Sequence, residues 1–403
     1  MPMELTARTA AGRRLVATAE RFAEEFAPRA AEHDRDGSYP FESIEALRRA
    51  GYFAAPAPRE LGGLGVSSLH DVVVASGRLA RGDASLAIGV NMHLVVVVNL
   101  ARRWRMARAA KVARREEAFA ASLREIAAGE VVLAAAQSEP GQDLTRPTTE
   151  AVRTERGWRI DGHKIFCTMS PAATALLTSV RFLDGDGIER YGYVQIPADA
   201  AGVRINDDWD ALGMRASGSH SVTFDGVELP ASSLRGGFPT GEPVPYLERN
   251  LPSGLLHASA SLGIAEAAFA RTARSERVGE DARARMLVAE SAIELAASRA
   301  ALSRAAMLVD DHHARHPADE GTDDEIVALF AEGQAAKTFV NEAATRVVDR
   351  ALALSGGAGY LNGSPLARAY RDVRAGAFMH PLGANRAYEF LGNVALGRPH
   401  ALT

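Results

Sequence analysis

The pattern of apolar and polar residues divides the chain into three regions. Up to about residue 130, Ala, Arg, Glu and Leu recur with the spacing of amphipathic helices. From about 131 to 235 the pattern changes to short β-rich runs such as "GWRIDG", "KIFCT" and "VTFDGVELP", separated by Gly, Asp and Pro. The Gly/Pro-rich segment "RGGFPTGEPVP" is a predicted linker, and after it the helical pattern returns. We therefore predict an α+β chain divided at 1–130, 131–235 and 236–403, with a small sandwich or barrel in the middle.

Two apolar stripes in the last region have the spacing of helix bundle seams. One comprises Met286, Ala289, Ile293, Ala296, Ala300 and Met307, and the other comprises Val340, Ala344, Val347, Ala351 and Leu354. Steps of three and four place such residues on one helix face, which requires a partner helix. The partner can belong to the same subunit or to a neighbouring one.

Composition narrows the function classes. A net charge of -4 gives no overall attraction to nucleic acid or to an anionic membrane, so a small-molecule substrate is expected. A single cysteine, Cys167, excludes an intramolecular disulfide and a cysteine-based zinc site, which fits a reducing, cytoplasmic location. The apolar stretch "SLAIGVNMHLVVVVNL" includes Asn91, His93 and Asn99, and we expect a buried helix rather than a membrane span.

Two further segments resemble a metal site and a nucleic-acid surface, but neither function is predicted for them. In "DDHHARH" (310–316), His312 and His313 are adjacent and point to different helix faces, so no metal site is predicted. The basic segment "RRWRMARAAKVARREE" (102–117) is expected to be a solvated helix face rather than a nucleic-acid surface.

Several motifs together resemble the acyl-CoA dehydrogenase superfamily. The motifs are "AAAQSEPGQDL" (134–144), "GWRIDGHKIFCTMSPAA" (157–173), "DALGMRASGSHSVTFDGVELP" (210–230), "RELGGLG" (59–65), "GGAGY" (356–360) and "YRD" (370–372). They span nearly the whole chain in the family's order. The resemblance implies an N-terminal helical domain, a middle β-barrel and a C-terminal four-helix bundle, usually in a homotetramer or else a homodimer. It also implies a flavin, FAD or FMN, between barrel and bundle.

The resemblance assigns flavin contacts to two of these motifs. Ser138 is similar to the family's hydroxyl residue at the flavin pyrimidine, and Gln137 supplies backbone beside it. Phe166 stands where many relatives place an aromatic wall, and Thr168 where a hydroxyl meets flavin N5. Such groups hold the ring and tune its potential.

Other positions follow from the same resemblance. Arg215 and Ser217 match positions on the substrate side of the barrel. Gly356 and Gly357 fit a close approach of the adenine-diphosphate arm of FAD from a neighbouring subunit, or else a helix C-cap. Ala353 replaces a glutamine common in relatives that retain FAD tightly, which suggests weaker FAD retention or the use of FMN.

The expected catalytic carboxylate is absent. Family members that oxidise acyl thioesters place a glutamate a few residues after the "RD" motif, where this chain has His380 or Met379. A minority place it in the first bundle helix, at a position that corresponds roughly to Ser253. Glu389 and Glu248 are fallback bases if the placement of gaps is in error.

One branch of the superfamily lacks this glutamate, uses reduced flavin and oxygen, and often has histidines around the flavin. His380 and His93 occupy positions where such histidines are expected, and imidazole suits the holding or protonation of a substrate near neutral pH. The leading prediction is therefore monooxygenation of a small molecule through a flavin peroxide, with reduced flavin supplied by a separate reductase. The alternatives are dehydrogenation of an acyl thioester with an electron-transfer partner, and a non-catalytic assembly partner.

Overall fold

Helices form the N-terminal region of the chain. A computed structural model describes residues 4–141, 143–273, 280–399 and 402. The helices are α1 (Ala10–Asp36), α2 (Phe41–Arg49), α3 (Leu69–Ala80), α4 (Ala84–Ala109) and α5 (Ala113–Ala127). Helix α4 is long and apolar enough to cross a membrane, but 83% of its most apolar window is buried inside the fold, so it is a core helix.

Strands form the middle region. They are β1 (Leu133–Ala136), β2 (Glu150–Thr154), β3 (Gly157–Lys164), β4 (Ala175–Leu183), β5 (Glu189–Pro197), β6 (Val203–Ile205), β7 (Val222–Pro230) and β8 (Arg235–Pro239). Their order in one sheet is β6-β7-β3-β2-β4-β5-β8, and β1 pairs in parallel with β4. The ends of β1 and β3 therefore come close together, joined by a bridge between Ser138 and Ile165.

The last strand lies inside the segment that we predicted to be a linker. Strand β8 pairs with β5 at Arg190–Pro239 and Tyr193–Arg235, although its sequence is "RGGFP". Gly236 and Gly237 have φ angles of +92° and +129°, which a residue with a side chain rarely adopts. Glycine lowers the strand propensity of this segment, yet here it permits an irregular edge strand. The sheet therefore continues past residue 235.

Helices form the C-terminal region. They are α6 (Val244–Arg249), α7 (Leu251–Thr272), α8 (Ala282–Arg315), α9 (Asp323–Ser355), α10 (Gly357–Tyr360), α11 (Pro365–Val373) and α12 (Ala384–Ala395). The predicted seam on α9 is buried from Val340 to Ala351. The predicted seam on α8 is not, because Met286 and Ile293 are 66% and 69% exposed. Helix α8 buries a different face, which includes Leu295, Leu302 and Val309.

Three apolar clusters fix the relative positions of these regions. The first joins the N-terminal helices to the C-terminal bundle, the second packs α4 and α5 against β1, β4 and β5, and the third lies within the sheet. Helix α4 contributes to the first two clusters. One face of α4 therefore lies where helices, sheet and bundle meet, and that junction contains the candidate site.

Candidate flavin and substrate site

A small cavity of about 70 Å³ lies at this junction. Its wall brings together residues from three separate segments of the chain. They are Gln137 and Ser138 after β1, Phe166 after β3, and His380 after α11. The family resemblance implies flavin binding for the first three and a catalytic role for the fourth. The fold therefore places these four predicted residues around one space.

A buried ion pair ties together the two segments that carry the predicted flavin contacts. Lys164 at the end of β3 donates from Nζ to Glu139 Oε1 at 2.6 Å, and both side chains are fully buried. Glu139 also accepts hydrogen bonds from the backbone N–H groups of Thr148 and Thr149. Lys164 and these donors hold the pKa of Glu139 near 2 against the opposing effect of burial. The pair fixes Ser138 beside Phe166.

Phe166 provides an open aromatic wall. Its side chain is 59% exposed and its φ angle is +55°, in a region that non-glycine residues rarely adopt. Its ring meets the ring of Trp209 edge to face, with centroids 6.1 Å apart. Thr168 Oγ1 lies 2.9 Å from Ser219 Oγ. An exposed aromatic ring on a constrained backbone, with a half-buried second ring against it and hydroxyls nearby, fits the requirement of a flat flavin ring for an apolar wall and polar edge contacts.

The hydrogen bonds of His380 define its tautomer. The Asn250 amide donates from Nδ2 to the carbonyl of Tyr246, so its Oδ1 faces His380 and can only accept. His380 Nε2, 3.0 Å from that Oδ1, must therefore carry a proton. The Tyr246 hydroxyl lies 3.1 Å from the same Nε2 and donates its own proton to the carbonyl of Pro381.

The other ring nitrogen of His380 is left with its lone pair. Nδ1 has no hydrogen-bond partner among the residues that the structure describes, and the ring lines the cavity. Burial, and secondarily the nearby charge of Lys337, lowers the pKa of His380 to about 3. At neutral pH the imidazole is therefore uncharged, with an acceptor lone pair at Nδ1, and the residue forms part of the cavity wall.

His93 does not share this role, which corrects the sequence-based assignment. It is fully buried, its Nδ1 accepts from the backbone N–H of Leu133 at 3.0 Å, and its Nε2 contacts the carbonyl of Phe53 at 3.2 Å. Burial lowers the pKa of His93 to about 3. With both nitrogens engaged by backbone, His93 fastens α4 to β1, and its neighbour Met92 lines the cavity instead.

The fallback carboxylates also lie outside the cavity. Glu248 is 9% exposed and forms an ion pair with Arg103 at 2.6 Å. Burial raises the pKa of Glu248. Glu389 is exposed on α12. Among the described residues, no carboxylate lines the cavity that contains His380.

The predicted substrate contacts are engaged in structural bonds. Arg215 donates from Nε to the carbonyl of Asp34 at 2.7 Å, which joins the sheet to the end of α1. Ser217 is buried, and its hydroxyl lies 2.6 Å from that of Ser219. Neither residue lines the cavity. Gly356 and Gly357 are exposed at the end of α9, and a Cβ at either position would meet nothing within 4 Å. They leave room for a neighbouring group.

A large cleft opens beside the cavity. It measures about 920 Å³ and shares Val96, Asn99, Leu177, Tyr193 and Arg249 with the cavity, so the two spaces adjoin. Its lining carries the arginines Arg103, Arg114, Arg115, Arg235 and Arg249. Among the described lining residues, Glu320 is the acidic one. The cleft therefore has a strong excess of positive charge.

Arg249 occupies the junction of cleft and cavity. Its guanidinium lies over the ring of Tyr193, 3.8 Å from the centroid, and the structure shows no ion pair for it among the described residues. Burial lowers the pKa of Arg249, and the charges of Arg103 and Arg235 act in the same direction. An arginine so placed is suited to an anionic group of a ligand.

The structure also changes the assessment of the histidine-rich segment. His312 and His316, one helical turn apart, meet Glu325 of α9, and one potential ligand atom from each lies within 4.8 Å of the others. His312 Nε2 contacts the carbonyl of Glu320, whereas His316 contacts Asp319 and Glu325. His312 Nδ1 has no hydrogen-bond partner among the described residues.

Comparison with known proteins identifies the family. Residues 9–104, 133–227 and 253–385 match the models of the acyl-CoA dehydrogenase N-terminal, middle and C-terminal domains. The chain is 35% identical to the amino sugar nitrososynthase DnmZ of Streptomyces peucetius, over 97% of this chain and 95% of that protein. It is 32% identical to the putative acyl-CoA dehydrogenase YdbM of Bacillus subtilis, over 90% and 91%.

A solved structure of similar shape carries ligands. The complex of KijD3 with FMN and dTDP-3-amino-2,3,6-trideoxy-4-keto-3-methyl-D-glucose superposes with a TM-score of 0.88. Its sequence is 34% identical, and the match covers 98% of this chain and 96% of that chain. The motifs, the three domain matches and the whole-chain similarity agree, and the chain belongs to the acyl-CoA dehydrogenase superfamily of flavin-dependent oxidoreductases.

Proposed function

We propose that the protein is a flavin-dependent monooxygenase that adds oxygen to the nitrogen of an amine substrate. The observation that carries the proposal is the state of His380, a neutral imidazole with a free Nδ1 beside the predicted flavin contacts. An acceptor at Nδ1 can take a hydrogen bond from an N–H of an uncharged amine. This bond orients the amine and leaves the nitrogen lone pair free to react.

The same geometry disfavours dehydrogenation of an acyl thioester. The α-proton of a thioester is weakly acidic, so its removal requires a base with a pKa closer to neutral. A histidine whose pKa is lowered to about 3 is a poor candidate, and no described carboxylate lines the cavity.

Gln137, Ser138, Phe166 and Thr168 are the residues that we assign to flavin. Bound there, reduced FMN or FAD supplies the two electrons that activate dioxygen. FMN is the flavin named in the KijD3 complex, and it is our expectation for this chain. The overall reaction consumes one O₂, two electrons and two protons, converts R–NH₂ to R–NHOH and releases one water. A separate reductase would deliver the reduced flavin.

The arginine cleft supports an anionic carrier on the substrate. The cavity of about 70 Å³ is small, whereas the adjoining cleft is much larger and positively charged. KijD3 is described with a dTDP-linked amino sugar and DnmZ as an amino sugar nitrososynthase. We therefore propose a nucleotide-linked amino sugar, with its amine at His380 and its diphosphate near Arg249.

The test is incorporation of labelled oxygen. The protein is supplied with FMN, an NADH-dependent flavin reductase, ¹⁸O₂ and a dTDP-linked amino sugar, and the product is analysed by mass spectrometry. We expect one ¹⁸O atom on the amine nitrogen. His380→Gln should lower the rate by about tenfold or more, because the variant loses the imidazole acceptor that orients the amine. His163→Gln, at an exposed position on β3, is the matched control.

Two further measurements distinguish the alternatives. Arg249→Met should weaken binding of dTDP, measured by calorimetry without turnover, by about tenfold or more. Anaerobic bleaching of oxidised flavin by an acyl-CoA, with no ¹⁸O in any amine, would replace the proposal with dehydrogenation. Failure to bind any flavin would favour the hypothesis that the protein is a non-catalytic assembly partner.

A further inference from the structure

Lysine is rare in this chain, and its positions are informative. Lys111, Lys164 and Lys337 are the lysines among 46 basic residues, and the remainder are arginines. Lys111 is exposed, whereas Lys164 and Lys337 are 0% and 2% exposed. A lysine carries a compact ammonium with three rotatable donors, whereas arginine presents a planar fork. The two buried lysines therefore mark sites where a compact donor is suited to the surrounding geometry.

Lys337 lies on α9 and reaches the loop that carries His380. Its Nζ donates to the carbonyl of Met379 at 2.5 Å and to the carbonyl of Leu382 at 2.6 Å. These two carbonyls flank His380 and Pro381 in sequence. One turn along α9, Asn341 donates from Nδ2 to the carbonyl of Gly376 at 2.8 Å. Helix α9 thus holds the backbone of the loop from 376 to 382.

The loop is held from the opposite side by a separate element. Tyr246 on α6 donates to the carbonyl of Pro381, and Asn250 accepts from His380. Tyr246 and Asn250 thus contact the imidazole of His380 and the Pro381 carbonyl. Lys337 instead binds the backbone carbonyls on either side of this dipeptide. The loop otherwise has an irregular conformation, with no helix or strand between Ala377 and Ala384.

We propose that Lys337 is a positioning residue that clamps the 376–382 loop and so holds His380 at the cavity. This inference rests on the proposed function, because it assumes that His380 binds the substrate amine. Lys337 does not line the small cavity, and it acts on the reaction through His380. No ion pair of Lys337 is present among the described residues, so its ammonium is dedicated to these carbonyls.

The charge of Lys337 has a second effect on the same group. Burial is the larger cause of the lowered pKa values of His380 and of His257 on α7. The charge of Lys337 lowers both pKa values further. Burial in turn lowers the pKa of Lys337 to about 7. Other titratable or charged groups near the loop are His257, Tyr246, Arg386, Glu342, Arg346 and Arg374. Removal of the lysine charge should make His380 easier to protonate.

The experiment compares Lys337→Met, Lys337→Arg and Lys337→Gln with Lys111→Met. The Lys111 variant removes a lysine from an exposed position and is the matched control. Hydrogen–deuterium exchange, read by mass spectrometry on peptides that cover 376–382, needs neither flavin nor substrate. We expect about tenfold or faster exchange in that peptide for Lys337→Met, since it loses two charge-assisted hydrogen bonds. Peptides from the sheet should be unchanged.

A second readout follows the histidine itself. Carbethoxylation of His380 by diethyl pyrocarbonate, mapped by mass spectrometry, reports the neutral imidazole as a function of pH. In Lys337→Met the midpoint should move to higher pH than in the wild type. In turnover, kcat should fall more than tenfold with a smaller change in KM, and Lys337→Arg should recover part of the loss.

The outcomes separate this proposal from the proposed function. Unchanged exchange of the 376–382 peptide in both Lys337→Met and Lys337→Gln would overturn the clamp. Faster exchange with an unshifted carbethoxylation midpoint and an unchanged rate would show that Lys337 is structural only, which also overturns it. Faster exchange and a shifted midpoint in a protein that adds no oxygen to an amine would retain the clamp and reject the proposed function. If Lys337→Met does not fold, Lys337→Gln is decisive.

Discussion

The buried pair of Lys164 and Glu139 gives the sharpest stability prediction. Both side chains are fully buried, and their charged atoms are 2.6 Å apart. Lys164→Met keeps most of the side-chain volume but leaves the buried Glu139 carboxylate without this cation. Removal of one partner of a buried ion pair destabilises a protein by about 3–5 kcal/mol. The hydrogen bonds from Thr148 and Thr149 to Glu139 remain in the variant. We therefore expect the free energy of unfolding to fall by an amount at the lower end of this range, about 3 kcal/mol.

The pair also predicts a dependence on pH. The pKa of Glu139 is about 2 in the folded protein, below its ordinary value of 4.5. The unfolded chain therefore binds more protons between these values, and the stability that the pair contributes is present above pH 4.5 and is lost as the pH falls toward 2. In Lys164→Met the carboxylate loses its cation, so the folded-state pKa of Glu139 should rise and the window between the folded and unfolded values should narrow. This part of the acid sensitivity should therefore become smaller.

The assay is urea unfolding of the flavin-free protein, followed by tryptophan fluorescence at pH 7. Trp158 lies on β3, the strand that ends at Lys164, so the signal reports the affected sheet. The midpoint should fall for Lys164→Met and remain unchanged for Lys111→Met. Glu139→Gln combined with Lys164→Met should lose less than the sum of the single variants, because neither charge is then left alone. A midpoint for Lys164→Met equal to that of the wild type would refute the reasoning.

Two further predictions concern a buried acid and an exposed stripe. Burial raises the pKa of Asp372 to about 7, so the folded protein binds more protons than the unfolded chain between about pH 4 and 7, and stability falls as the pH rises through that window. Asp372→Asn keeps the acceptor for the Met214 N–H and should flatten the pH dependence of stability in thermal melts. The free energy of unfolding at pH 8 should rise by at most about 4 kcal/mol. An unchanged pH dependence would contradict this prediction. Ile293→Glu charges the exposed stripe of α8 and should lower the assembly mass in light scattering, while Leu183→Glu, also at an exposed position, should not. A wild-type chain that is already a monomer would show that the stripe is not an interface.

The sequence was most informative where a residue acts through a local motif. Ser138, Phe166 and His380 were predicted because each belongs to a recognisable segment, and the structure brings the three to one cavity. The same kind of evidence assigned His93 and Arg215 to the site, and both are bonded to backbone instead. A motif specifies which residue stands at a position, but the bonds of that residue depend on neighbours from distant segments.

The arginine cleft could not be derived from the sequence for the same reason. Arg103, Arg114 and Arg115 belong to a basic segment that we expected to be a solvated helix face. Arg235 lies on the strand that was hidden in a predicted linker, and Arg249 ends α6. Only the packing of these elements shows that their charges converge. The scarcity of lysine, three among 46 basic residues, is visible in the sequence, but the structure is needed to show that Lys164 and Lys337 are buried.

The scarcity of lysine has a practical consequence for experiments on this protein. An amine-reactive dye cannot reach two side chains that lie in the core, so it should couple to Lys111 and to the α-amino group of the chain. Lys111 stands between Ala110 and Val112, and both of these line the arginine cleft. A fluorophore attached there would sit at the rim of the cleft. The native chain thus offers an attachment point for an optical reporter of ligand entry without any engineered cysteine.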